Sequence, residues 1–218
     1  MTTLENISLP ISEDLHKFKV AYKQSLHSNN PLLQEIVAHV TKSSGKMMRP
    51  ILVMLSAGLS GGITESTINA AASLELLHVA SLIHDDVVDN SDMRRGLASV
   101  MAQFENKAAV LGGDFFLSTA LCEAVKTQNI GVMETISNLG RILIDGELLQ
   151  LTESRNHSFK EENYFSIIKS KTAALFAASA KLGALTAKSS SEEVQRESPS
   201  LQKYSRPIQT VFSGSATR

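Results

Sequence analysis

The chain has 218 residues, enough for one large domain or two small ones, and 43% hydrophobic against 20% charged residues is the balance of a globular protein with a substantial core. A formal net charge of −1 gives no global attraction for nucleic acid. The single cysteine, Cys122, excludes an intramolecular disulfide and a cysteine-rich zinc site, and its apolar neighbours predict a small core residue.

The N-terminus carries Glu5, Glu13 and Asp14 and has no basic flank leading into an apolar run, so no secretory signal is expected. No uninterrupted apolar run approaches the roughly 18 residues that span a bilayer, and a cytoplasmic protein is expected. Helical periodicity runs nearly throughout, without strand alternation and hairpin signals. Ser12 is positioned to cap a first helix bearing Leu15, Phe18, Tyr22 and Leu26. Asn30 and Pro31 form a cap and first helical position for Leu32 to Val40, a helix that stops near Ser43-Ser44-Gly45. Lys46 and Arg49 then open an apolar helix from Ile51 to Leu59. A helix beginning favours an anion, yet two solvated basic residues near a turn are the better reading of this pair taken alone.

From Thr64 to about Asn90 one long helix is apolar on nearly all sides, the mark of a central helix. His78 lies on it, seven residues before Asp85 and near the same face; alone it reads as a hydrogen-bonded core histidine. The helix ends in His84-Asp85-Asp86-Val87-Val88-Asp89, with Asp92, Arg94, Arg95 and Gly96 beyond. Asp85 and Asp89, four apart, stack on one face, and Asp86 is turned about 100° away. Such like charges repel unless a cation sits between them, and hard oxygen donors suit Mg²⁺ completed by phosphate. The arginines supply donor forks matched to phosphate. The bland alternative is a solvated acidic helix end, which would oppose the helix dipole.

Gly112-Gly113 is expected to break the chain before a helix from Phe115 to Val125. A helix from Gly131 to Leu151 carries Asp145, Glu147 and Gln150, and a capping box of Ser158 and Glu161 starts another that runs towards Gly183. Within it Lys171-Thr172 is a phosphate-compatible pair. Residues 1–187 are therefore assigned to one domain and 188–218, rich in serine and interrupted by prolines, to a loosely ordered tail.

In order, Gly45-Lys46-x-x-Arg49-Pro50, Leu74-Glu75-Leu76-Leu77-His78, the aspartate stretch with Arg94-Arg95-Gly96, Gly113-Asp114-Phe115, Gly146-Glu147-Leu148-Leu149-Gln150 and Lys171-Thr172-Ala173-Ala174-Leu175-Phe176 resemble the trans-prenyl diphosphate synthases. The resemblance covers roughly Pro31 to Gly183 and is to medium- or long-chain, octaprenyl-type members. It implies an all-α, isoprenoid-synthase-type bundle around a central helix, lacking its C-terminal helices, which condenses isopentenyl diphosphate with an allylic diphosphate. It implies Mg²⁺ at Asp85 and Asp89, with Asp86 supporting the cluster; Arg94, Lys171 and Thr172 at the allylic diphosphate; and Gly45, Lys46, Arg49, His78 and Arg95 at isopentenyl diphosphate. Asp85, Asp86, Asp89 and Lys171 would carry catalysis. The resemblance overturns the bland readings of Lys46, Arg49 and His78. Ala80 and Ser81, small where short-chain members place bulk, imply a long product.

The family's second aspartate-rich motif is missing, and no aspartate follows Val194. The expectation is a truncated or frame-shifted synthase with impaired activity. A non-catalytic subunit partnering a complete synthase comes next, and a class I terpene cyclase last. The family is commonly dimeric, so a homodimer or such a heteromer is expected.

Overall fold

The computed structural model describes residues 3–42, 45–156 and 161–188. Two expectations, the Ser158 cap and the tail beyond Lys188, lie outside these residues.

Around one central helix the described chain wraps eight others. Helices α1 (Thr3–Ser8), α2 (Ser12–Ser25), α3 (Pro31–Lys42) and α4 (Met48–Leu59) precede α5 (Glu65–Val88). A two-strand hairpin, β1 (Met93–Arg94) and β2 (Leu97–Ala98), leads to α6 (Val100–Lys126) and α7 (Ile130–Asn156). Helix α8 (Glu161–Ile168) passes through a π turn, Lys169–Ala173, into α9 (Ala174–Thr186). The fold is the all-α bundle expected.

Helix α5 is central because its side chains leave it no solvent face: Ala70, Ala71, Ala72, Leu74 and Leu76 are fully buried against neighbours on every side. Each leucine so buried contributes about 1.5–3 kcal/mol. Its start is fixed by a capping box in which Thr64 accepts from the Thr67 N–H and Thr67 accepts from the Thr64 N–H. The same two hydroxyls donate to Thr186 O, which ties the end of α9 to the start of α5. Helices α4 and α9 cross closely at Gly183, where a Cβ would strike Val53 O and Ser56, and Ser56 Oγ donates to Ala180 O at 2.7 Å. By length and composition alone α5 and α6 would suffice to cross a membrane, though charged residues interrupt both; 72% of the apolar window of α5 and 44% of that of α6 are packed inside the bundle.

Several local expectations are corrected. Ser12 is the first residue of α2, not its cap: the chain enters through a short 3₁₀ turn, Leu9–Ile11, with Ile11 in the cap position and no side-chain bond. Asn30 does cap α3, accepting from the Leu33 N–H at 3.2 Å. Gly112 and Gly113 break nothing, because α6 runs straight through them. Both are buried where α6 presses on its neighbours, Gly112 against Ile36 and Gly113 against the His84 ring, and that close packing offsets their poor helix propensity. The real kink in α6 is at Glu105, with φ 70 and ψ 162. Cys122 is exposed, not core: on α6 it shares an outward face with Leu121 and Val125, which are also exposed.

Candidate active site

The C-terminal half of α5 separates two polar regions, one on each side of the helix. Their residues come from four other elements.

On one side stands Asp85, half-buried, carboxyl to carboxyl with Glu147 of α7 and with Asp89 close by. Burial foremost, and then Glu147, push the Asp85 carboxyl up to about 7; Lys171 pulls it down, and Asp89 adds a smaller push. Lys171 forms an ion pair with Glu147 and donates to Gln150 Oε1 at 2.9 Å. The lysine reaches them from the π turn, a distortion of the helix ladder that periodicity does not reveal and that recurs at functional sites. Gly146 makes the approach possible: a Cβ there would sit 2.7 Å from Ser170 Cβ. Thr172, on the same turn, is exposed.

Asp86 faces elsewhere, as its 100° rotation requires. It is 3% exposed and held by Arg94, whose Nε donates to Oδ1 at 2.9 Å and to Oδ2 at 3.0 Å. The hairpin delivers this arginine. Arg94 pairs with Leu97 across a two-residue loop, Arg95-Gly96, and both loop residues have positive φ (52 and 81), the pattern of a type I′ turn. His39 of α3 anchors the hairpin through Ala98 O at 2.8 Å, and Ser99 accepts from the Ala102 N–H to start α6.

Asp86 and Arg94 belong to the wall of a cavity of about 860 Å³ between α2, α3, α5 and the hairpin. Gly45, Lys46, Glu75, His78 and Arg95 line it too. His78 thus shares the Asp86 side of α5, not the Asp85 side: residues 78, 79, 82, 83 and 86 form one stripe. Burial above all, then Arg49, Arg95 and Arg94, lower the His78 pKa to about 3, so the ring is neutral. Gly45 leaves room for Arg95, since a Cβ would lie 2.6 Å from Arg95 Nη1. Arg49 stands behind this wall in the first turn of α4, with its guanidinium carbon 6.0 Å from the centre of the Phe176 ring. The turn into α4 uses a left-handed Met47, φ 53, between the two basic residues.

The structure therefore brings Asp85 and Lys171 together on one side, and Gly45, Lys46, His78, Arg94 and Arg95 on the other. Ala80 is 2% exposed; Ser81 is half-buried one turn below Asp85, its hydroxyl donating to His78 O at 2.8 Å. Glu147, Gln150 and Glu75 also belong to the two regions; each stands in one of the ordered motifs, but its residue type and spacing alone assign it no role. Among the described residues no three His, Cys, Asp or Glu gather into a metal cluster. Two carboxylates are nevertheless the usual protein share for Mg²⁺ completed by water and phosphate. Asp85 and Asp89, hard oxygen donors four residues apart at the end of α5, fit that ion.

Comparison with known proteins gives one consistent picture. The family pattern described as Polyprenyl synthetase matches residues 30–213, well past Gly183. The chain is 35% identical over 209 residues to octaprenyl diphosphate synthase of Escherichia coli (strain K12), covering 96% of this chain and 64% of that protein. It is 32% identical over 176 residues to heptaprenyl diphosphate synthase component 2 of Bacillus subtilis (strain 168), covering 80% of this chain and 50% of that protein. Among solved structures, a polyprenyl synthase from Caulobacter crescentus CB15 complexed with calcium and isoprenyl diphosphate superposes with a TM-score of 0.82 at 27% identity, covering 96% of this chain and 61% of that one. The chain thus spans less than two thirds of the length of each.

Proposed function

The chain belongs to the polyprenyl synthetase family, and we propose that it condenses isopentenyl diphosphate with an allylic diphosphate to extend a trans-polyprenyl chain. The observation that carries this reading is the pair of charged regions flanking α5, one acidic with a lysine and one cationic, as a reaction between two diphosphates requires.

Asp85 and Asp89 would hold Mg²⁺ against the allylic diphosphate, and bound there the ion would supply positive charge to the leaving group. Lys171, steered by Glu147 and Gln150, brings a second positive charge to the same oxygens, and Thr172 adds a hydroxyl. Asp86 keeps Arg94 in place. Across α5, Lys46, Arg49 and Arg95 bind the diphosphate of isopentenyl diphosphate, and neutral His78 supplies a hydrogen bond without a further charge. Ala80 and Ser81 leave room for a growing tail, which favours a medium or long product. The packing of α5 inside the bundle supports a cytoplasmic enzyme, and the exposed apolar residues of α6 and α7 support association with a second copy or with a complete synthase.

The test is turnover with both diphosphates and Mg²⁺. Elongation is the expected outcome; absence of both elongation and diphosphate binding would overturn the proposal. A second reading, a non-catalytic subunit, draws on the relative called component 2. Diphosphate binding without turnover, together with stimulation of an added synthase, would favour it.

A further inference from the structure

The cavity beside α5 is larger than the ligand so far assigned to it. Its volume of about 860 Å³ lies near the upper end of the range of about 300–1,000 Å³ for pockets that enclose a whole drug-sized ligand, whereas isopentenyl diphosphate carries a single isoprene unit. The surplus has a defined place. Helix α2 packs on α5 and α3 packs on α6, and the cavity continues between α2 and α3, past Tyr22 and Leu26 of the first and Val37 and Val40 of the second, over Val79 and Leu82 of α5. Charge on the wall favours an anion: five Lys and Arg line it against three Asp and Glu, and of these Asp86 is already held by Arg94. Glu75 Oε2 and His78 Nδ1 are buried and make no hydrogen bond. The two residues are 6% and 8% exposed and both line the cavity, so the partners that these atoms lack come from within it. Water would answer the two polar atoms but not the hydrocarbon wall between α2 and α3, which an apolar chain covers.

We propose that this cavity holds a single-chain amphiphile with a phosphate headgroup, longer than isopentenyl diphosphate, whose head sits at Lys46, His78 and Arg95 and whose tail lies between α2 and α3, shutting isopentenyl diphosphate out. The placement of the headgroup rests on the proposed function; that of the tail rests on the cavity. The neutral His78 ring donates through Nδ1–H to a phosphate oxygen, and Glu75 Oε2 accepts from a protonated phosphate oxygen or from water carried in with it. Each methylene of the tail that leaves water between α2 and α3 strengthens binding about fourfold. A tail bound there lies across α5 from Asp85, so the ligand inhibits and is not extended. An elongated isoprenoid diphosphate and a phosphate-headed lipid share this chemistry.

Titration calorimetry on the full chain, in EDTA so that no Mg²⁺ loads the acidic region, compares isopentenyl diphosphate with geranylgeranyl diphosphate and dodecyl phosphate. Geranylgeranyl diphosphate should bind at least about tenfold more tightly than isopentenyl diphosphate and displace it. Displacement by dodecyl phosphate as well supports a lipid as the source, and displacement by geranylgeranyl diphosphate alone supports an isoprenoid. Ala38→Trp, at an exposed position on the cavity wall, puts a ring into the space between α2 and α3. It should weaken geranylgeranyl diphosphate about tenfold and leave isopentenyl diphosphate unchanged. Should that variant not fold, Val40→Phe serves with the same expectation. Long-chain binding that does not compete with isopentenyl diphosphate, or that a folded variant leaves intact, would overturn the inference while the proposed function stands. If isopentenyl diphosphate itself does not bind, the functional reading fails first and the inference falls with it.

Discussion

Arg94 clasps Asp86 across the gap between the hairpin and α5, its Nε donating to both carboxylate oxygens at 2.9 and 3.0 Å. Only Arg94 is partly open to solvent. Removing it strands a carboxylate that is almost wholly buried, so Arg94→Gln should cost about 3 kcal/mol, the lower end for a broken buried pair. Asp86→Asn should cost less, since the arginine left behind reaches water. Urea unfolding of the two single variants and the double variant measures the pair, and a double variant as unstable as the sum of its parents would show that the two residues do not act together.

His78 gives the fold a defined response to acid. Its folded pKa, about 3, lies below the value near 6.5 of an unfolded histidine, and burial is the largest cause, with Arg49, Arg95 and Arg94 adding to it. Between those values the unfolded chain binds a proton that the folded chain refuses. Stability is thus intact above about pH 6.5 and is lost as pH falls towards 3, by at most about 1.4 kcal/mol per pH unit. His78→Asn should flatten that part of the stability curve. An unchanged slope would assign the acid sensitivity to carboxylates instead.

What could be read from the chain alone followed from periodicity and order. The 3.6-residue apolar pattern located α5 and its role, and the fixed order of motifs picked out Asp85, Lys171, His78, Arg94 and Arg95, though not the part of Glu147, Gln150 or Glu75 nor the side of α5 on which His78 lies. Three features escaped, each because its cause is either too local for a periodic pattern or set by a partner elsewhere in the fold. The π turn that brings Lys171 to Glu147 shifts the helical register by one residue, which no periodic pattern announces. The Arg95-Gly96 hairpin spans too few residues for an alternating signal. Whether a mid-helix glycine breaks or packs depends on the partner that presses on it, here Ile36 and His84.

That last point is measurable. In an exposed helix, Gly→Ala gains about 1 kcal/mol. At Gly113 the new methyl would collide with the His84 ring, and overpacking of this kind costs about 1–3 kcal/mol. Gly113→Ala should therefore lower the melting temperature. Shortening the opposing side chain by His84→Ala should recover part of the loss, and a stabilised Gly113→Ala would mean that α5 and α6 yield easily at this crossing.

Gly45 makes a similar accommodation for a functional group. A Cβ there would meet Arg95 Nη1 at 2.6 Å and Nη2 at 2.9 Å, so the arginine must move. Gly45 lies outside the helices and Arg95 is exposed, hence stability should change little. Affinity for isopentenyl diphosphate should fall about tenfold, the cost of one displaced charge-assisted contact. Calorimetry with that ligand separates the two effects, and equal affinity would place Arg95 outside the subsite.

Tail length is the last property that the site makes testable. Ser81 stands one turn below Asp85, half-buried, and its hydroxyl is occupied with His78 O, so it presents a small surface beneath the acidic region. On the neighbouring helix α7, Gly140 stands opposite Leu77, where a Cβ would lie in ordinary van der Waals contact, 3.9 Å from Leu77 Cδ1. Ser81→Phe would put a ring where a long isoprenoid tail has to pass, whereas Ala80, at 2% exposure, has less room to take one without strain. The expected result is weaker binding of geranylgeranyl diphosphate with Mg²⁺, unchanged binding of dimethylallyl diphosphate, and a shorter product wherever turnover is observed. If both ligands weaken alike, the ring has damaged the acidic region itself; if neither does, the tail runs along another face of α5.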